Sequence, residues 1–202
     1  MTMTTIGVIG AGAIGSAFAK ALANKGINVI LSNSRGPASL AELVSGLGPL
    51  VKAGTREEAA AQEIVLVAVN WSRLPAALAA LPDFAGRIVI DANNPIEAPL
   101  FKSVDLQGRT SSAVFSELVP GARVVKAFNH LQPHLISADP AGEGGRRVLF
   151  LSGDDQQARD AVVDLISQLG FFGIDLGVLD VGARLFQFPG GPLPALNLVK
   201  FA

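Results

Sequence analysis

The chain has 202 residues, half of them apolar and 16% charged, with a formal net charge of −1 and no cysteine. This composition excludes a disordered chain, a disulfide framework, thiolate metal sites and a cysteine nucleophile, and gives no electrostatic basis for binding nucleic acid or an anionic membrane. The longest apolar runs, such as residues 64–69, fall far short of the ~20 residues of a membrane span, and the run after the Thr-rich start is too short for a signal peptide. The expectation is a cytoplasmic protein.

Taken in chain order, Thr5–Ile9 has small or β-branched residues on both faces and predicts a buried strand. Ala13, Ile14, Ala17, Phe18, Ala21 and Leu22 then recur at helical spacing, and Gly26 supplies a stop signal. Residues 28–31 form the next expected strand. Thr55 and Glu58 have the spacing of a capping box opening a short helix. Residues 64–69 and 87–90 predict further buried strands, separated by an Ala/Leu-rich helix over 72–81. Beyond them come strands at Val124-Val125 and residues 147–151, a helix at about 155–169 closed by Gly170, and a strand at 171–176.

This βαβ rhythm predicts an α/β fold, a doubly wound and mostly parallel sheet of the Rossmann type with a small irregular C-terminal lobe. No linker or repeat divides the chain, so residues 1–202 are expected to form one domain. The cluster Pro189-Gly-Gly-Pro-Leu-Pro194 prevents regular structure near the end. Two roles are open to residues 177–202: closing the substrate side, with Arg184, Phe186, Gln187 and Phe188 as a wall, or a homodimer contact.

Gly10-Ala11-Gly12-Ala13-Ile14-Gly15 matches G-x-G-x-x-G between a predicted strand and a predicted helix, the context in which that pattern binds a dinucleotide. Gly10 permits the tight turn, Gly12 lets a pyrophosphate approach the backbone, and Gly15 lets the helix pack on the sheet. The helix N-terminus offers free amides to the anion. An NAD-binding chain of this type carries an acidic residue about 20 positions on. Here the second strand leads into Ser32-Asn33-Ser34-Arg35, and no acid occurs before Glu42. Short donors and a guanidinium suit a ribose 2′-phosphate, so the expected cofactor is NADP(H).

Ligands bind outside the carboxyl ends of parallel strands. That selects Val69, Asn70 and Trp71, then Asn93 and Asn94 before Pro95, then Asn129 and His130. Trp71 is placed either beside the cofactor or in ordinary packing, the asparagines before Pro95 either at the ligand or only in a turn, and Asn129 either at the nicotinamide or substrate or in a purely structural role. His130 and His134 lie four apart, but Pro133 intervenes, marking the first turn of a helix, and no third ligand is near, so no metal site is expected. No acid–base dyad or nucleophilic set has a recognisable spacing, and no catalytic residue is assigned.

The segments Ile6-Gly-Val-Ile-Gly-Ala-Gly-Ala-Ile-Gly15, Ser32-Asn-Ser-Arg-Gly-Pro37, Asp91-Ala-Asn-Asn-Pro95 and Val124-Val-Lys-Ala-Phe-Asn129 resemble those of the F420-dependent NADP oxidoreductase family. The last third, including residues 149–154 and Ile174-Asp-Leu-Gly177, is similar to the reductase domain of the Steap metalloreductases. The resemblance implies hydride transfer between NADP(H) and coenzyme F420 or a flavin (FMN or FAD), with diphosphate contacts on residues 10–15 and 2′-phosphate contacts on residues 32–35. Two departures stand out. Family members often read Pro-Trp where this chain has Asn70-Trp71, and the archaeal deazaflavin enzymes place a His where Asn129 aligns. A carbonyl or imine reductase and a non-catalytic NADPH-sensing module are the competing expectations.

Overall fold

The strand that opens the fold, β1 (Thr5–Ile9), is buried from Ile6 onward, as its small and branched residues require. The computed structural model describes residues 5–97, 100–141 and 144–201; the Thr-rich residues 1–4 lie outside the described residues. After β1 the chain forms α1 (Ala13–Asn24), β2 (Asn28–Ser32), α2 (Ala41–Leu47), β3 (Val51–Ala53), α3 (Arg56–Ala60), β4 (Ile64–Val67), α4 (Leu74–Leu78) and β5 (Ile88–Asp91). A small hairpin, β6 (Ile96–Glu97) and β7 (Lys102–Ser103), leads to α5 (Ser111–Glu117), β8 (Arg123–Ala127) and α6 (Pro133–Ser137). The last third holds β9 (Gly145–Gly153), α7 (Gln156–Gln168), β10 (Phe172–Asp175), α8 (Arg184–Phe186) and β11 (Val199–Phe201).

The main sheet runs β10-β9-β8-β5-β4-β1-β2-β3, with β11 paired to β9. From β3 to β8 all neighbours are parallel. β9 runs against β8, and β10 follows β9, so the outer third of the sheet is reversed. After β8 the chain turns through α6 on the flank of α1 instead of crossing back along the sheet, so β9 starts at the carboxyl edge. The fold is the expected mostly parallel α/β sheet.

Side-chain alternation along the strands makes two cores. Ile6, Val8, Leu66, Ile88 and Ile90 face α1, α6 and α7, meeting Phe18, Leu22, Ile136 and Val162. Ile9, Val65, Val67 and Val89 face α3, α4 and α5, meeting Ala59, Leu74, Leu78 and Phe115. Val148, Phe150 and Phe186 form a smaller cluster that seats the C-terminal lobe on β9 and β10.

Local signals act as expected at several points. Glu58 N donates to Thr55 Oγ1 at 3.1 Å and Thr55 N donates to Glu58 Oε2 at 2.8 Å, a complete capping box. Pro133 stands at the first turn of α6. The helix expected over 72–81 is shorter: a 3-10 turn at Trp71–Arg73 precedes α4, and Ala80 adopts a φ of 61° ahead of Pro82. Strand β4 stops at Val67 because the chain bends into the cleft, where the Asn93 side chain takes the Val69 amide. β2 extends one residue beyond expectation, to Ser32. The hairpin, α5 and β11 carry no periodic signal in the sequence. No helix among the described residues is long and apolar enough to cross a membrane.

Candidate cofactor cleft

A cleft of about 1460 Å³ runs along the carboxyl edge of the parallel strands. Its first wall is the glycine turn. Gly10 has a φ of +112°, and its amide donates to Ser32 O at 3.0 Å. A Cβ at Gly10 would overlap the Ala68 carbonyl, and one at Gly15 would overlap the Gly10 carbonyl, so both glycines are demanded by packing. Gly12 differs: a Cβ there would meet nothing within 4 Å. The first helical bond of α1 runs from Ser16 N to Gly12 O, which leaves the amides of Ala13, Ile14 and Gly15 without helical partners, and no acid stands in the first turn.

The turn after β2 comes next. Asn33 Oδ1 accepts from Arg35 N at 2.9 Å and Asn33 Nδ2 donates to Ser39 Oγ at 2.9 Å, so Asn33 folds the turn that presents Ser34 and Arg35. Both of the latter are exposed at the cleft mouth. Ser32 is fully buried, and its hydroxyl donates to Val8 O at 3.1 Å. It therefore braces the turn from inside the sheet and does not line the cleft.

The floor is a buried polar network. Lys126 Nζ donates to Asp91 Oδ2 at 3.0 Å and to Asn93 O at 2.9 Å, with both charged side chains fully buried. Asp91 Oδ1 accepts from the backbone and side-chain nitrogens of Asn93, and Asn93 Oδ1 accepts from Val69 N at 2.9 Å. Asn93 thus fixes the bend that presents Val69, Asn70 and Trp71. Trp71 is 8% exposed, packed in the second core while touching the cleft.

The far wall comes from distant segments. Asn129 Nδ2 donates to Asn94 Oδ1 at 3.0 Å and to Phe186 O at 2.9 Å, and Asn94 Oδ1 also accepts from Phe188 N at 3.0 Å. The Asn129 amide nitrogen is therefore committed to holding the C-terminal segment. His130 is buried between Phe150 and Phe186, with centroids at 5.0 and 5.6 Å, and its Nε2 accepts from Phe150 N at 3.4 Å. Burial, aided by the nearby Lys126 ammonium, pushes its pKa down to about 4. Ala195 N donates to His130 O, and Phe188, Pro194 and Ala195 line this end together with Phe101 from the hairpin loop. The Ser72 amide and hydroxyl donate to the Glu97 carboxylate at 2.7 and 2.9 Å, tying the hairpin to the cleft rim. The same C-terminal segment leaves Leu196, Leu198 and Phe201 exposed.

Of the residues singled out from the sequence, Gly10, Ala11, Gly12, Ala13, Ile14, Asn33, Ser34, Arg35, Val69, Asn70, Trp71, Asn93 and Asn129 line this one cleft; Gly15 and Ser32 do not. Among the described residues the lining also includes Arg56 and Arg73, which no sequence motif marks, and no Asp or Glu. Their signal was faint: each is a basic residue just past the carboxyl end of a strand. No cluster of three or more His, Cys, Asp or Glu placed for a metal ion occurs among the described residues.

Residues 5–95 match the family model described as NADP oxidoreductase, coenzyme F420-dependent. Over these residues the chain is similar to that family of NADP-dependent oxidoreductases. A solved structure of a putative F420-dependent NADP reductase from Arthrobacter sp. FB24 superposes with a TM-score of 0.74 at 29% identity, covering 88% of this chain and 86% of that one. A hypothetical protein, SMa0349 of Sinorhizobium meliloti, superposes with a TM-score of 0.93 at 47% identity, covering 98% and 97%. Metalloreductase STEAP3 of Rattus norvegicus is 30% identical over 192 residues, 94% of this chain and 37% of that protein. The chain spans about two fifths of the length of the curated relatives it matches. The residues matched by the family model include the glycine turn and the arginine-bearing turn.

Proposed function

We propose that the chain transfers hydride between NADP(H) and a planar deazaflavin or flavin acceptor. The observation that carries this reading is the charge of the lining: three arginines at one end and no carboxylate among the described residues. A dinucleotide bearing a diphosphate and a 2′-phosphate suits that lining, and the cleft exceeds the roughly 300–1,000 Å³ typical of a small-ligand pocket. Gly12 leaves room for the diphosphate beside the free amides of α1, while Ser34 and Arg35 meet the 2′-phosphate.

The nicotinamide ring supplies or takes the hydride when bound. The chain's own part is to orient two rings and exclude water, with Trp71, Phe101, Leu131 and Phe188 as apolar walls. Among the described residues the lining holds no Asp, Glu, Lys, Tyr or Cys, and its histidine is kept neutral by burial. Hydride addition to a carbonyl or imine builds a strongly basic oxygen or nitrogen that needs a proton donor beside it, whereas a deazaflavin or flavin ring delocalises the added charge and can take its one proton from water. This favours the deazaflavin or flavin class.

Two measurements test the reading. Arg35→Ala is expected to weaken NADPH at least tenfold while leaving NADH little changed, since a charge-assisted hydrogen bond contributes about 1.5–3 kcal/mol. In stopped flow, NADPH-loaded protein mixed with coenzyme F420, FMN or FAD should lose nicotinamide absorbance. Turnover only with carbonyls, or tight NADPH binding with no turnover on any acceptor, would overturn the reading in favour of a carbonyl reductase or a sensing module respectively.

A further inference from the structure

Arg56 stands at the first position of α3, fixed there by the Thr55–Glu58 capping box. Gly54 N donates to Leu31 O at 3.0 Å, which ties the loop after β3 to the end of β2, where the turn bearing Arg35 begins. From this anchored base the Arg56 side chain crosses to α4, and its Nη1 donates to Ala76 O at 2.8 Å and Ala77 O at 3.0 Å. A guanidinium has five N–H donors. The two on Nη1 are consumed by these carbonyls, leaving the Nε–Nη2 edge, which matches two oxygens of a phosphate in a fork.

Among the described residues that edge makes no hydrogen bond. The nearest anion is Glu57, with Oε1 at 3.7 Å from Nη2 on a side chain 54% exposed, a weak and water-screened pair. The tether to α4 fixes the guanidinium before any ligand arrives, so little rotamer freedom is left to lose on binding. Arg35, by contrast, is an exposed side chain on a turn.

We propose that Arg56 is a second cation for the phosphorylated adenosine, the pre-oriented partner of Arg35 in gripping the 2′-phosphate. This rests on the reading that the cleft takes NADP(H). The test is calorimetry on the full chain with 2′,5′-ADP and 5′-AMP, two probes that differ only in the 2′-phosphate. Equal affinity of the unaltered chain for both probes would overturn the NADP(H) reading and this proposal with it.

With the preference present, Arg56→Gln is expected to weaken 2′,5′-ADP about tenfold and 5′-AMP less than twofold. Arg56→Lys keeps the charge but not the fork, so it should recover only part of the loss, and it carries the same comparison should the Gln variant fail to fold. Glu57→Gln removes the competing carboxylate and should tighten 2′,5′-ADP about twofold without moving 5′-AMP. Unchanged discrimination in both Arg56 variants, or equal loss for both probes, would overturn the role of Arg56 while the NADP(H) reading stands.

Discussion

At the arginine-lined end of the cleft the walls are drawn from residues between Gly10 and Ala77 that follow parallel strands, with Arg35 and Arg73 exposed to water and Arg56 tethered to α4. At the aromatic-lined end the walls are the hairpin, the segment after β8 and the C-terminal segment, clamped by buried amides and packed rings. The difference teaches a division of labour. Charge and backbone amides suffice to hold a phosphorylated ligand at an exposed site, whereas placing a ring edge-on or face-on requires walls that do not shift. Rigidity is therefore concentrated where the proposed chemistry occurs.

Single substitutions at five positions probe that division, beginning with the largest expected effect. Lys126→Met breaks the floor shared by both ends and leaves the Asp91 carboxylate buried without a cation, at a cost of about 3–5 kcal/mol read from the denaturant midpoint. The double variant with Asp91→Asn should regain much of this; no recovery would mean that Lys126 acts through packing alone. His130 tests the rigid end by pH. It stays neutral in the folded chain down to about pH 4, while the unfolded chain takes up the proton near 6.5. Acidification across that window favours unfolding by up to about 3 kcal/mol and saturates below it, with no effect at pH 7 and above. His130→Gln should flatten the profile.

At the open end, Gly15→Ala forces a Cβ onto the Gly10 carbonyl and should cost about 1–3 kcal/mol in thermal unfolding. Gly12→Ala has room for its methyl, so stability should stay within about 0.5 kcal/mol while NADPH affinity falls. A Gly12 variant that melts early but binds normally would contradict the contrast. Asn94→Ala removes the acceptor shared by Phe188 N and Asn129 Nδ2, for about 1 kcal/mol, and should speed hydrogen exchange at the Phe188 amide.

The open end was the legible one. Its signals are local: a glycine spacing between strand and helix, a strand followed by Ser-Asn-Ser-Arg with no acid, a capping box. Even there the reading of Ser32 as a ligand donor fails on a single residue of strand length, because extending β2 to Ser32 turns its hydroxyl onto the Val8 carbonyl. Arg56 escaped notice because its approach to the cleft depends on carbonyls twenty residues away. The rigid end was far less legible. Asn129 was placed beside the ligand without any sign that its amide nitrogen serves Phe186, 57 positions later. Nothing in the spacing announces that β9 reverses, yet that reversal sets where the C-terminal segment starts its return to the cleft.

The arginine cluster in the lining has a kinetic consequence. The molecule as a whole carries a charge of −1, so a multiply charged anion gains nothing from drifting toward its surface at large. Field lines concentrate at the opening where Arg35, Arg56 and Arg73 gather, with the exposed Glu57 carboxylate only weakly paired to Arg56, and a diffusing nucleotide is steered there before it makes contact. Capture should then slow steeply with added salt while release hardly changes, because screening acts on the approach.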